Sequence, residues 1–408
     1  MALSDKSVKL KCGYDSDIYI LIPYSSNSCG IMDFHVKDTT VSKRFIDLMN
    51  KTSLLECSTD VCRDLKRIYV GKCNLACFND LYDGVVEAKE EFDMFFTIDE
   101  VTGIYLLTLM NLNNSFSTTQ IQDQVSSNNL FICDQNNIVR LDDFINEKYG
   151  LIKCGDAKVL ISLSAKPKSD LEFLCMLAGE AYDSKIDYSL KSNEILDMSK
   201  HNFSQYDFYE IYASKNSVVY ILNELNDSEE LSINEEAPIL FIMELIMFQN
   251  ASVLRTNKSI VSKLSGDGKV SLKDIENLYI EFGKTIKFWS NERFKYLSSQ
   301  IVAEHINRSF ETQKVLDDYY NNQNFLEHIV NLRDVQNSNR EGRILNIVVI
   351  FLTILQVIPI LIQFYDYAQT GVYSNNLINY VGLGIVFILV IILFIKNRNT
   401  KKKQKSLK

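Results

Sequence analysis

Two long stretches without a charged residue, both near the C-terminus, constrain this sequence most. Residues 344–365 form an uncharged run of 22 residues, and residues 377–395 lie within another of 29. A helix needs roughly 20 apolar residues to cross a bilayer, and within lipid a helix satisfies its own backbone hydrogen bonds. The sequence therefore predicts two transmembrane helices joined by a short loop at residues 366–376. The alternative is a pair of buried helices in a soluble core.

Basic residues near the two stretches predict their orientation. Three Arg residues precede the first stretch, seven Lys or Arg residues follow the second in residues 396–408, and the loop 366–376 has none. Positive residues concentrate on the cytoplasmic side of membrane proteins. We therefore expect a multi-pass protein of the cell (inner) membrane with both termini in the cytoplasm and no N-terminal signal peptide. The basic tail would contact anionic membrane lipid.

The chain before the first stretch divides into two parts of different character. Strands rich in Ile, Val, Tyr and Phe are predicted at residues 17–24, 92–97, 103–110, 158–163, 208–212 and 217–222, with helices between them. Residues 1–225 are expected to form a cytosolic α/β or α+β domain that regulates the protein or senses a ligand. Residues 226–343 are expected to be helical, because no proline lies between Pro238 and Pro359.

A long stalk helix is predicted within the helical part. Apolar residues recur at spacings of three and four from Ser271 onwards, and neither Gly nor Pro occurs between Gly283 and Gly342. The alternative is two or three ordinary helices that fold back on the domain. The predicted fold class is thus an α/β (or α+β) domain, a long helical stalk, a transmembrane hairpin at residues 344–395 and a basic cytoplasmic tail.

Charge and cysteine content bear on partners. Without its tail of seven positive residues the chain carries a net charge of −16, which argues against nucleic-acid binding. Four of the nine cysteines, Cys57, Cys62, Cys73 and Cys77, have a spacing that could hold zinc, and the alternative is buried thiols. An acidic run (Glu87, Glu90, Glu91 and Asp93) could bind a divalent cation, although a solvated helix face is the simpler interpretation.

The layout resembles that of the CorA-like superfamily of two-transmembrane cation channels. The resemblance implies a homo-oligomer, a pentamer in this superfamily, and a divalent cation such as Mg²⁺. The superfamily's Gly-Met-Asn signature is absent from residues 365–375, which place Asp366, Gly371 and Asn375 at the expected pore entrance. The sequence is more similar to the branch that serves type III CRISPR systems, in which a nucleotide second messenger such as SAM-AMP opens the channel.

Polar residues within the first stretch support a pore independently of this resemblance. Asn346, Thr353, Gln356 and Gln363 fall within one arc of about 100° on a helix with 100° per residue. In a symmetric oligomer this stripe would line a channel and hydrogen-bond to the water shell of an ion. The alternative is that the amides hold packed helices together.

These features predict a ligand-gated ion channel. A divalent cation (magnesium) transporter is one alternative, and a membrane-tethered sensor or scaffold without conductance is another. An enzyme is not expected, because the sequence has no phosphate-binding loop, nucleophile elbow or metalloprotease motif, and its four His residues are dispersed. Membrane lipid is the expected partner, and a small nucleotide is the expected ligand by resemblance alone.

Overall fold

The structure, a computed structural model, describes residues 16–26, 36, 38–57, 65–78, 86–112, 114, 116–134, 137–182, 193–222, 229–265, 272–288 and 293–370. The chain divides into two units, residues 1–326 and residues 327–408. All the strands and all but one of the helices named below lie in the first unit. The last helix runs through residue 326 into the second unit.

Ten strands of the described chain form one mixed sheet in the order β6-β5-β2-β3-β4-β1-β8-β10-β9, with β7 paired to β1. They are β1 (Ser16–Ser26), β2 (Leu65–Phe78), β3 (Val86–Asp99), β4 (Ile104–Asn111), β5 (Phe131–Asp134), β6 (Asn137–Arg140), β7 (Leu151–Lys153), β8 (Lys158–Leu163), β9 (Tyr209–Ala213) and β10 (Ser217–Leu222). The β8–β10 pair is parallel, whereas the other neighbouring strands are antiparallel. Each predicted strand lies on an observed one.

Helices and strands alternate irregularly along the chain up to β10, and the elements described after β10 are helical. The helices are α1 (Thr40–Glu56), α2 (Thr118–Ser126), α3 (Leu141–Tyr149), α4 (Asp170–Ala178), α5 (Asn193–Met198), α6 (Glu229–Ser265), α7 (Leu272–Gly283), α8 (Leu297–Ser309) and α9 (Thr312–Thr370), with a 3-10 turn at Ile286–Phe288. Local chemistry marks several of their ends. Thr39 caps α1, because its hydroxyl accepts the Ser42 backbone N–H at 3.0 Å. Gly179 ends α4 in the left-handed region, with φ +77°.

Helices cover both faces of the sheet, and the alternation of side chains along β1 shows how. Tyr19 and Leu21 point to a core that they share with α1, α6 and α8, whereas Ile18, Ile20 and Ile22 point to a second core with α2, α3 and α4. Successive residues of a strand face opposite sides of its sheet. The strand is therefore apolar from Ile18 to Tyr24, as a strand segment buried on both faces must be.

The long apolar helix α6 is the centre of the first core. Its segment Glu236–Ser262 is the one described helix that is long and apolar enough to cross a membrane, and 89% of its most apolar window is buried inside the protein. It packs against α1, α7, α8, β1 and β4. A helix that is apolar on all sides requires such a complete cover. We conclude that α6 is a core helix of the sheet domain.

The predicted fold class, with a long stalk and two C-terminal transmembrane helices, is wrong. The predicted continuous helix from Ser271 to Gly342 is divided into α7, α8 and the first half of α9. Among the described residues the one candidate membrane span is the buried part of α6, and the exposed apolar stretch Gly342–Phe351 is shorter than a span. The predicted second span, residues 377–395, lies outside the described residues. Long-range packing explains the first difference, because the breaks lie where the chain contacts the sheet domain.

The outer edge of β9 is covered by its own chain. The Ile211 N–H donates to Asn202 Oδ1 at 3.0 Å, and the Phe203 N–H donates to the Ile211 carbonyl at 3.1 Å. The carbonyl of Ala213 accepts the Ser309 hydroxyl at 3.4 Å. These bonds occupy backbone groups that an edge strand would otherwise offer to another chain.

Candidate functional site

The apolar stretch of α9 has an exposed surface on every side of the helix. Seven apolar residues within eight consecutive positions are between 38% and 66% exposed: Ile344, Leu345, Ile347, Val348, Val349, Ile350 and Phe351. At 100° per residue these positions cover the whole circumference of the helix. Leu361 and Tyr365, further along, are also exposed. A surface of this kind requires a cover of lipid or of other protein chains.

Two of the predicted pore residues have described side chains. Asn346 is exposed, and it is seven positions from Thr353, so the two lie within about 20° of each other on α9. The Thr353 hydroxyl donates to the Val349 carbonyl of its own helix at 2.8 Å. The side chains of Gln356, Gln363 and Asp366 are not described, and Gly371 and Asn375 lie outside the described residues. The polar stripe and the pore entrance therefore remain predictions.

A buried ion pair in the sheet domain was not predicted from the sequence. Arg67 on β2 donates through Nη2 to Glu244 Oε2 on α6 at 2.6 Å, and their side chains are 2% and 1% exposed. The other Glu244 oxygen accepts the Thr97 hydroxyl at 2.8 Å. Arg67 Nη1 donates to Asn50 Oδ1 at 2.9 Å and to Ser53 Oγ at 3.2 Å. The network joins α1, β2, β3 and α6 in one core, which gives it a structural role.

The helix α2 is polar in sequence and yet almost fully buried. Gln120 Nε2 donates to the Tyr182 carbonyl at 2.9 Å, and the Tyr182 N–H donates to Thr119 Oγ1 at 3.1 Å. On another side of the helix, Gln122 Nε2 donates to Ser217 Oγ at 2.7 Å. Gln124 is fully buried, and neither its amide nitrogen nor its amide oxygen has a hydrogen-bond partner among the described residues. Amide and hydroxyl groups of this kind suit a neutral ligand that both donates and accepts hydrogen bonds.

Of the four cysteines considered for zinc, the three that the structure describes do not converge. Cys73 and Cys77 lie on β2 and share the core of α2, α3 and α4, whereas Cys57 lies in the core on the opposite face of the sheet. Cys62 lies outside the described residues. Burial raises the pKa of the Cys73 thiol to about 12 and raises that of Cys77 further, so both are protonated at neutral pH. A site with Cys57 and Cys73 as common ligands is excluded by this geometry.

The acidic run does not lie on a helix. Glu90, Glu91 and Asp93 are on strand β3, and the Glu87 side chain is not described. Glu91 forms an ion pair with Lys72 on the neighbouring strand β2. Asp93 accepts the Tyr69 hydroxyl at 2.8 Å, also from β2. The interpretation as a solvated helix face is wrong, because Glu91 and Asp93 alternate with the buried Phe92 and Met94, which is the period of a strand.

Within the described residues no group of three or more His, Cys, Asp or Glu side chains could hold a metal ion. The comparisons with known proteins give no family either: no family model matches the chain, and no curated protein and no solved structure matches it.

Proposed function

We propose that the protein is an oligomeric ion channel at the membrane, controlled by a ligand of its cytosolic sheet domain. The observation that carries this proposal is the apolar segment of α9, defined as residues 344–365, which contains no charged residue and exposes apolar side chains on all sides. The exposed apolar stretch that the structure describes here, Gly342–Phe351, is shorter than a membrane span, but its surface still requires a cover. In each copy this surface would contact lipid or a neighbouring copy.

A pore would arise from the polar stripe of the same segment. With several copies around an axis, Asn346, Thr353, Gln356 and Gln363 of each would face the channel. These side chains carry no charge, so they would hydrogen-bond to a hydrated ion rather than bind it directly. The CorA-like resemblance supports a homopentamer, and its type III CRISPR branch supports a nucleotide such as SAM-AMP as the ligand. We propose that the uncharged part of the ligand, such as a nucleobase, contacts the buried polar helix α2, because the Gln124 amide there has no hydrogen-bond partner among the described residues.

A second candidate is a membrane-tethered sensor without conductance. The hydrogen bond from Thr353 to the Val349 carbonyl favours it, because a hydroxyl that bonds within its own helix needs no water and is tolerated next to lipid. In this case the apolar segment of α9 serves only as an anchor.

Flux measurements on the full-length protein in liposomes distinguish these functions. We expect K⁺ flux that increases when SAM-AMP is added, and a single oligomeric species in detergent. Flux of Mg²⁺ without K⁺ would support the magnesium transporter instead. If the protein binds liposomes but conducts neither ion, with or without the nucleotide, the result would support the membrane-tethered sensor. A protein that stays unbound to liposomes would contradict both membrane functions.

A further inference from the structure

The break between α8 and α9 occurs where the sequence contains no helix-breaking residue. Residues 284–341 contain neither Gly nor Pro. The chain nevertheless leaves the helix at Phe310 and Glu311, and Glu311 adopts φ +56°. The left-handed region disfavours a residue with a side chain by a factor of roughly 5 to 30. Local sequence therefore favours one continuous helix here, and the observed break needs support from elsewhere.

One support is Lys158 at the start of β8. Its Nζ lies 5.0 Å from the centre of the Phe310 ring, and both side chains are buried. The same Nζ donates to the Lys215 carbonyl at 2.7 Å and to Asn216 Oδ1 at 2.9 Å. Lys158 thus ties the break to the turn between β9 and β10, with a cation held over an aromatic ring.

The second support acts on the carboxylate of Glu311. Lys215 Nζ lies 3.7 Å from Glu311 Oε2, and Lys314 on α9 forms a second ion pair with the other oxygen. These pairs lower the pKa of Glu311, with the hydrogen bond from Lys314 as the largest cause. The Ser309 hydroxyl adds a bond to the Ala213 carbonyl at 3.4 Å. The three contacts of the sheet domain come from the start of β8, from the end of β9 and from the turn between β9 and β10.

A further observation concerns the first residue of α9. The Thr312 hydroxyl is buried and has no hydrogen-bond partner in the part of the chain that the structure describes. In a continuous helix this hydroxyl would lie within reach of the carbonyl four residues earlier, that of Arg308. The broken conformation thus leaves unused a bond that the continuous one would form.

We propose that residues 310–311 are a two-state joint, broken as observed while β8 and the β9–β10 turn hold it, and continuous when those contacts are released. The joint is a regulatory device of the sheet domain, because these contacts select the state of the helix that carries the apolar segment. In the broken state α9 is further held by stacking of Tyr319 on Phe282, with ring centres 4.4 Å apart, and by a bond from Asn322 to Asn257 at 2.7 Å. Release of the joint would exchange these contacts for the continuous helix.

A matched pair of substitutions at one residue tests the joint. Both Glu311→Gly and Glu311→Ala remove the carboxylate, but glycine accepts a positive φ freely whereas alanine favours the helix. The ratio of continuous to broken molecules should therefore be larger in Glu311→Ala by a factor on the order of 30 or more. Two spin labels measure this ratio, one at the exposed position of Glu304 and one at that of Asp317. The labels are attached through p-acetylphenylalanine, so that the nine cysteines are not modified.

In the full-length protein the Glu311→Gly variant should show one distance. The Glu311→Ala variant should show a second population near 20 Å between the two α-carbons, the span of thirteen residues in one helix. The same single distance in both variants would overturn the proposal. Lys215→Ala gives an independent reading, since Lys215 is 70% exposed and its loss should not affect folding. This variant should raise the population of molecules with the continuous helix by up to about fivefold. If Lys215→Ala does not change that population and the two Glu311 variants do not differ, residues 310–311 do not form a two-state joint.

Discussion

Arg67 and Glu244, 177 positions apart in the sequence, form an ion pair at 2.6 Å in the interior of the sheet domain. The guanidinium also lies 5.9 Å from the centre of the Phe241 ring. Both charges are removed from water, and their mutual contact together with Asn50, Ser53 and Thr97 replaces the hydration that they lose.

Removal of one partner of this pair should destabilise the protein strongly. Glu244→Gln leaves the Arg67 cation buried without a counter-charge, and we expect the free energy of unfolding to fall by about 3–5 kcal/mol. Denaturant titration monitored by fluorescence measures this change. The double variant Arg67→Met, Glu244→Leu should recover most of it, because no charge is then buried. Glu91→Gln, which breaks the exposed pair with Lys72, should cost at most about 1 kcal/mol.

Lys158 should make stability depend on pH in the alkaline range. Burial, the largest cause, lowers its pKa from 10.5 to about 8, while Asp156 and Glu311 partly oppose the shift. Between these two pKa values the unfolded chain binds a proton that the folded protein does not, so the free energy of unfolding rises with pH across this window. The gain should approach about 3 kcal/mol. The Lys158→Met variant should lack this rise, and identical pH slopes in the two proteins would contradict the assignment.

Replacement of Gln124 should stabilise the protein when no ligand is present. Gln124→Leu removes a buried amide without partners among the described residues, so the free energy of unfolding should increase by about 1 kcal/mol. The matched control is Gln122→Leu on the same helix, which removes the donor to Ser217 and to the Met176 carbonyl and should be destabilising. If Gln124→Leu destabilises the protein as much as the control does, Gln124 has a structural partner.

A charge in the apolar segment of α9 should weaken membrane attachment. Phe351 is 62% exposed. The variant Phe351→Lys would place a cation in the bilayer at this position. The cost is about 2.5–3.5 kcal/mol, so flotation with liposomes should fall by a factor of roughly 100. Asn324→Lys, at an exposed position of the same helix outside the segment, serves as the control and should float normally. Normal flotation of Phe351→Lys would mean that protein, rather than lipid, covers this surface.

Gln356→Leu tests the polar stripe. A ring of apolar groups in place of amides favours dewetting of a narrow pore, so ion flux should fall sharply while the oligomer persists. Ile354 lies about 160° around the helix from Gln356, so Ile354→Leu is the control and should conduct normally. If Gln356→Leu instead dissociates the oligomer, the amide holds helices together. Full flux with intact assembly would remove the stripe from the pore.

The strands were predictable because their signal is local. The alternation along β3 and the apolar run of β8 can be recognised within a few residues. The helical character of α6 was also predicted, as part of residues 226–343, although its position as the core of the sheet domain depends on contacts with β1 and β4, which lie far away in the sequence. The break at Glu311 was missed for the same reason, since it depends on Lys158 and Lys215 and not on a local glycine.

The polar interior was less predictable than the fold. No local pattern pairs Arg67 with Glu244, because an isolated Arg in a strand and an isolated Glu in an apolar helix are each common. The burial of α2 could have been suspected, because its Thr and Gln residues occur with few charges, but their partners, such as Tyr182 and Ser217, come from distant parts of the chain.

The burial of α6 has a consequence for synthesis of the protein on the ribosome. A segment as apolar as Glu236–Ser262 could be mistaken for a membrane anchor by the insertion machinery as it emerges. The strands β1 and β4 and the helix α1, which cover much of it, precede it in the chain and are therefore made first. Since domains fold from the N-terminal side during translation, α6 meets a partly built surface on emergence. The order of elements thus helps to hide from the membrane the one described helix that is long and apolar enough to cross it.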